Sequence, residues 1–239
     1  MVYYSEKRLR MKIAISQSNY IPWPGYFCII ESVDLFIFLE DVQYTRRDWR
    51  NRNLVLSMDK AQWLTVPVIT KGQYNQQIAD VKIDGDQWKR KHLNTIYHEY
   101  KSSKHFDDVF TLYSECLEEC TESLSSLNIN LIKKICNYLS INTLLDSSEK
   151  IKSRNQANER LIDICKYYKG TKYISAPAAK NYLDTEMFNK EFIEVELFDY
   201  EFINNKLFEM SLSRDGKNLS ILHGLMHHGT SLINLLKEK

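Results

Sequence analysis

Four arginines, Arg46, Arg47, Arg50 and Arg52, fall within seven residues and are interleaved with Tyr44, Trp49, Asn51 and Asn53. Guanidinium groups supply paired, charge-assisted donors, so such a cluster suits a diphosphate. Most charge runs are solvated faces, but a Trp and two Asn inside this one favour recognition of a ligand, for which a sugar nucleotide is the natural candidate. Just upstream, Glu40-Asp41-Val42-Gln43 closes an apolar run. That places Asp41 to accept a proton from an amine or to bind a hydroxyl, with Gln43 beside it. An ordinary solvated strand end explains the acidic pair as well. Gln17 closes an earlier apolar run, where its carboxamide offers donors and an acceptor to a ligand or, more plainly, to a turn. Tyr20, Trp23 and Tyr26 follow as a wall for a base or sugar ring, where stacking adds about 0.5–1.5 kcal/mol beyond burial. At least one of the three is expected in the core. Ser175 and Lys180, at the end of a later strand, complete the candidate contacts.

Other clusters carry less. His223 and His227 have the i, i+4 spacing of a zinc pair, with His228 adjacent, but no third ligand stands nearby and Gly224 weakens the helix. Cys116 and Cys120 share that spacing among apolar neighbours, which fits buried thiols. No metal site is expected and the sequence names no cofactor. The chain has no GxSxG elbow, P-loop or GxGxxG. Its five cysteines lack CxxC spacing and read as reduced thiols of a cytoplasmic protein.

These residues need a scaffold. Residues 12–16 form a short apolar run, residues 17–23 a loop, and Pro24 fits the first turn of a helix carrying Phe27, Ile29 and Ile30. Residues 34–39 then have strand length. A strand, loop, helix, strand order yields a parallel sheet with its site at the carboxyl ends of the strands. Further strands are expected at 53–56 and 62–68, Pro67 marking an edge or end, and a polar segment at 71–77 reads as a mobile loop over a site. Helical periodicity follows at 86–101, 106–124, 130–139 and 156–168, the last ended by Gly170, with strands at 172–174 and 192–197 and a helical stretch over 219–236 interrupted by Gly224 and Gly229. The expected fold class is α/β, a mainly parallel sheet with flanking helices and a helical subregion. The parts are a leader (1–10), an N-terminal α/β part carrying the site (11–85), the helical subregion (86–145) and a C-terminal α/β part (146–239).

Composition sets the outer bounds. With 239 residues, 44% hydrophobic and 26% charged, the chain is long enough for a sizeable core and ordinary for a folded globular protein. A formal net charge of +1 gives no support for bulk DNA binding, so any anion site must be local. No run approaches the ~18 apolar residues of a membrane span.

The segment from Ala14 through Gln17, Tyr20, Pro22, Trp23 and Pro24 to Gly25-Tyr26-Phe27 resembles the opening signature of the WbqC-like family. The resemblance continues through Leu39–Tyr44, Trp49–Asn53, Leu64–Val68, Ile162–Cys165 and Leu219–Leu222 in order, over nearly the whole chain after Met11. It implies a role in O-antigen (lipopolysaccharide) or related surface-polysaccharide biosynthesis, with glycine transfer to an amino sugar proposed for members. Ser16 stands where some relatives have His, and Ser18 where Pro is usual, so no histidine role carries over. Residues 175–180 replace a Gly-rich stretch, and His223 follows Leu222 where relatives tend to be acidic. The strand, Pro-containing loop, Gly25, helix order also resembles the nucleotidylyltransferase arrangement, in which a small residue lets a nucleotide approach the helix start. The two phosphate-contacting histidines of that motif are missing.

The leading expectation is therefore an N-acyl or aminoacyl transferase, glycyl in its narrowest form, acting on the amine of a nucleotide-linked deoxyamino sugar. Its second partner is an activated acyl or aminoacyl donor of unknown carrier. An ATP-dependent ligase and a non-catalytic sugar-nucleotide-binding protein are the alternatives.

Overall fold

The computed structural model describes residues 11–151, 153, 157–214 and 216–237; the expected leader lies outside them. Five parallel strands form the central sheet, in the order β5-β2-β1-β6-β7. They are β1 (Lys12–Ser16), β2 (Leu35–Phe38), β5 (Leu144–Ser147), β6 (Lys172–Ser175) and β7 (Glu194–Leu197). Side chains alternate across a strand, and here the two sets feed two cores. Ala14, Phe36, Phe38 and Ile174 face one core with residues of α1 (Pro24–Glu31), α8 (Ile221–His228) and α9 (Leu232–Lys237). Ile13, Ile15, Leu35, Ile37 and Tyr173 face the other, with Leu161, Ile164 and Cys165 of α5 (Ala157–Tyr167) and Phe188 of α6 (Thr185–Lys190). The α/β expectation holds.

Several boundaries differ from expectation for identifiable reasons. The expected strands at 53–56 and 62–68 do not join the main sheet. As β3 (Arg52–Ser57) and β4 (Lys60–Thr65) they pair antiparallel through a Met58-Asp59 turn with positive φ at both residues, the backbone that matches strand twist in a tight hairpin. The helical region comprises α2 (Gln87–Tyr100), α3 (Phe106–Glu118) and α4 (Leu124–Tyr138). Helix α4 starts earlier than expected because the Ser123 hydroxyl caps it, accepting from the Ser126 amide. Gly229, at φ 54°, breaks the C-terminal helical stretch, whereas Gly224 lies within α8, where the missing side chain makes room for Leu232, 2.8 Å from where a Cβ would stand. Strand β5, α6 and α7 (Tyr200–Glu209) have no counterpart in the expected elements. A small hairpin, β8 (Ser213–Arg214) and β9 (Lys217–Asn218), precedes α8. Among the described residues no helix is long and apolar enough to cross a membrane.

Candidate functional site

Strand β1 sends the chain through α1 to β2 on one side, while β6 sends it through α6 to β7 on the other. The order reverses between β1 and β6, and in open α/β sheets the crevice outside the strand ends at such a reversal is the usual ligand site. A cavity of about 350 Å³ lies there, reached by Ser16 and Gln17 after β1 and by Ser175 and Ala176 after β6. Tyr26 of α1, Tyr173, Tyr182 and Tyr200 give it an aromatic lining, and Arg50 and Arg160 give it positive charge.

Arg160 is 5% exposed and sits on the buried stripe of α5 with Leu161, Ile164 and Cys165. Its Nε and Nη2 donate to Asp41 Oδ2 at 2.9 and 2.6 Å, and Nη2 also donates to the Ser148 carbonyl at 2.9 Å. Nη1 is buried without a hydrogen-bond partner. The other Asp41 oxygen accepts from the Ser148 hydroxyl. Asp41 is thus occupied in aiming Arg160, and its carboxylate does not line the cavity. Its neighbour Glu40 is fully buried and accepts from the Ser18 amide and hydroxyl, both at 2.9 Å, and from the Ser125 hydroxyl. Burial pushes the Glu40 carboxyl above its ordinary 4.5, against the lowering effect of those donors. The acidic pair is therefore a structural knot joining the ends of β1 and β2 to α4 and to Ser148, after β5, rather than a solvated strand end.

The arginine cluster does not converge. Arg50 reaches the cavity, salt-bridged to Asp48 at 2.8 Å with its Nε buried and unpartnered. Arg52 lies over the Trp63 ring, 4.1 Å from the centroid. Arg46 donates to the Thr70 carbonyl at 2.7 Å, and Arg47 is exposed at φ 56°. Gln43 is exposed as well, donating to the Tyr74 carbonyl at 3.2 Å. The polar segment near 70–77 thus packs on the 42–46 loop and contributes no residue to the cavity wall.

The three aromatic residues after Gln17 part company. Tyr20 is wholly buried, its hydroxyl within hydrogen-bond distance of His92 Nδ1 (2.8 Å) and the Tyr113 hydroxyl (2.5 Å), so its ring belongs to the core. Tyr26 lines the cavity and donates to the Gln17 carbonyl at 2.9 Å. Burial holds its phenol well above the ordinary 10.0, which keeps the donor protonated. Gln17 lines the same cavity with its Oε1 buried and unpartnered. Trp23, Trp49 and Asn53 border a separate hollow. The Trp23 ring covers Gly25, passing 2.2 Å from where a Cβ would stand, so the room left by that glycine is filled by the chain itself rather than by a nucleotide.

Asn51 and Asn53 serve the backbone. Asn51 Nδ2 donates to the Val66 carbonyl at 2.8 Å, and Asn53 Nδ2 donates to both the Tyr20 and Ile21 carbonyls at 3.0 Å while its Oδ1 accepts from the Leu54 amide. Those bonds hold Ile21 at φ 38°, a costly conformation for a β-branched residue. Ser175 is buried at the cavity wall, whereas Lys180 is exposed and outside it.

His223 donates to or accepts from Tyr100 at 3.0 Å and packs its ring 4.9 Å from that of His227, and no group of three or more potential ligands among the described residues is placed to hold a metal. Cys28, Cys116, Cys136 and Cys165 are buried free thiols, and Cys120 is partly buried. A wider hollow of about 580 Å³ runs along α2, lined by Arg90, Lys91 and Glu99 with Ser57 and Met58 of the β3–β4 hairpin, and shares no residue with the cavity at the sheet's carboxyl edge.

A family model described as the WbqC-like protein family matches residues 17–234. An uncharacterized protein of Mycobacterium tuberculosis, Rv1507c, is 42% identical over 180 residues, which cover 75% of this chain and 78% of that protein. No solved structure matches the chain significantly.

Proposed function

The chain belongs to the WbqC-like protein family, and we propose that it transfers an acyl or aminoacyl group, glycyl in the narrowest form, to the amine of a nucleotide-linked deoxyamino sugar for surface-polysaccharide biosynthesis. One observation carries the reading: two guanidinium groups, Arg50 and Arg160, meet a tyrosine-lined cavity at the reversal point of a parallel sheet, each with a buried nitrogen lacking a protein partner. Guanidinium groups at a cavity wall offer paired, charge-assisted donors, and a diphosphate offers the matching acceptors. Tyrosine rings supply faces for a base or sugar, Gln17 Oε1 accepts from a ligand hydroxyl or amine, and Asp41 fixes the direction of Arg160. In the reaction the amine nitrogen bonds to the acyl carbon, the bond from that carbon to its carrier breaks, and the amine proton leaves on the carrier's heteroatom.

A second reading, a non-catalytic sugar-nucleotide-binding protein, draws on the lining itself: among the described residues it contains no carboxylate, histidine or thiol. Intact-mass analysis of a panel of amino-sugar nucleotides with carrier-linked, coenzyme-linked, tRNA-linked or free donors plus ATP separates the two. The transferase reading expects a product heavier by the acyl group. Binding by calorimetry without any product selects the second reading, and no binding at millimolar ligand removes both.

A further inference from the structure

The hollow bordered by Trp23 and Trp49 has its own chemistry. It encloses about 340 Å³ and is lined by Asn19, Pro22, Trp23, Trp49, Asn53, Gly216, Lys217 and Asn218. Trp49 is 42% exposed, leaving part of its ring uncovered even though Trp63 packs against it. Asn19 Oδ1 is buried and has no partner. Asn218 spends its Nδ2 on Asn204 at 2.8 Å, which leaves its oxygen to accept. Lys217 forms no ion pair with a described residue and adds one cation at the rim. Asn53 is fully engaged with backbone and supplies only a wall.

Indole faces beside carboxamides, with a single cation, are what a pyranose needs. Its axial C–H groups lie on an aromatic face, and its hydroxyl or acylamido groups both donate and accept. A diphosphate would want more charge than Lys217 alone supplies. The hollow also adjoins the cavity of the proposed reaction. Gln17 lines the cavity and Asn19, two residues on, the hollow; Trp49 and Arg50 are consecutive, and the Trp23 ring of the hollow meets the Tyr200 ring of the cavity with centroids 4.8 Å apart.

We infer that this hollow is a saccharide site, distinct from the anion-binding cavity, which takes a pyranose ring between Trp23 and Trp49. Its existence does not depend on the transferase reading; that reading would make it the seat of a second sugar unit or of a polysaccharide end.

The test uses the full chain and methyl glycosides of glucose, galactose and their N-acetylamino analogues at millimolar concentration, followed by saturation-transfer NMR, with UDP titrated separately by calorimetry. At least one glycoside should show transfer concentrated on its ring C–H protons. Trp49→Ala should weaken that glycoside about fivefold or more, within the range set by loss of one stacked face, while UDP affinity stays within twofold of wild type. Asn218→Ala, on a small surface hairpin, provides a second variant if Trp49→Ala alters the melting curve, and it too should weaken the glycoside alone. Absence of transfer to all four glycosides overturns the inference. So does a glycoside signal indifferent to both variants, or one displaced by UDP, since displacement would put both ligands in one site. Loss of UDP binding with glycoside binding intact would instead contradict the anion cavity alone.

Discussion

Asp41→Asn separates two roles for that carboxylate. In the folded chain Asp41 gives Oδ2 to two nitrogens of Arg160 and Oδ1 to Ser148, while its side chain remains 26% exposed. Asparagine keeps an oxygen for Arg160 but loses the charge. Hydrogen bonds to charged partners contribute about 1.5–3 kcal/mol against about 0.5–1.5 for neutral ones, and partial exposure trims the difference, so the substitution should cost about 1 kcal/mol of stability. The larger consequence falls on Arg160. With its fork no longer fixed it meets a diphosphate less well, and UDP affinity should drop about five- to tenfold, roughly 1–1.4 kcal/mol. Calorimetry on wild type and variant measures this, with thermal unfolding alongside. An essential proton acceptor behaves otherwise: its removal lowers turnover by about 10²–10⁴ and leaves ligand affinity alone. Unchanged UDP affinity in Asp41→Asn, together with a collapse of acyl transfer, would refute the positioning argument.

Three further outcomes follow from buried polar groups. Because burial raises the Glu40 carboxyl above 4.5, the folded state holds its proton more tightly than the unfolded one. The associated stability is present below about pH 4.5 and is lost as pH rises through the folded value; relative to wild type, Glu40→Gln should therefore gain in melting temperature as pH rises from about 4 to 8, and a relative loss over that rise would contradict the sign. His92 and His223 are both lowered from 6.5 to about 4, chiefly by burial. They stabilise fully above pH 6.5 and lose that contribution as pH falls towards 4, so the double variant His92→Gln/His223→Gln should show a shallower acid limb in melting-temperature scans than wild type, even if less stable at pH 8. Asn53→Ala leaves the Tyr20 and Ile21 carbonyls without their donor and the Leu54 amide without its acceptor, which should cost about 2–4 kcal/mol by urea unfolding; a loss under 0.5 kcal/mol would mean water replaces these bonds freely.

Whether an element or contact is legible in the sequence depends on which physics each residue answers to. The parallel core was legible because β2 is four consecutive apolar residues, Leu35 to Phe38, all buried, and because Pro24 and the following apolar residues announce α1. Strand β5 was not, since Leu144 is exposed and Asp146 and Ser147 are polar, leaving a strand held by pairing with β2 more than by burial. At the candidate site, Gln17 and Tyr26 reach the cavity through their place after β1, a local relation. Arg46 to Arg52 look like one patch in sequence, but proximity in sequence is not proximity in space. The chain runs through turns up to residue 51 and enters β3 only at Arg52, so Arg50 and Arg52 part and Arg46 and Arg47 stay outside. Arg160 lies far from all of them in sequence, and nothing local ties it to Asp41. A signal did exist: it occupies a position in phase with Ile164 on the apolar stripe of α5, and a charge there demands a buried partner.

The most direct measurement of the central claim is a crystal structure of the full chain with a nucleotide-linked amino sugar. The diphosphate should lie at the carboxyl ends of β1 and β6, within hydrogen-bond distance of both Arg50 and Arg160, with Asp41 still bonded to Arg160. A diphosphate seated instead on the Arg46 and Arg47 loop, or on Lys217 in the tryptophan hollow, would contradict it.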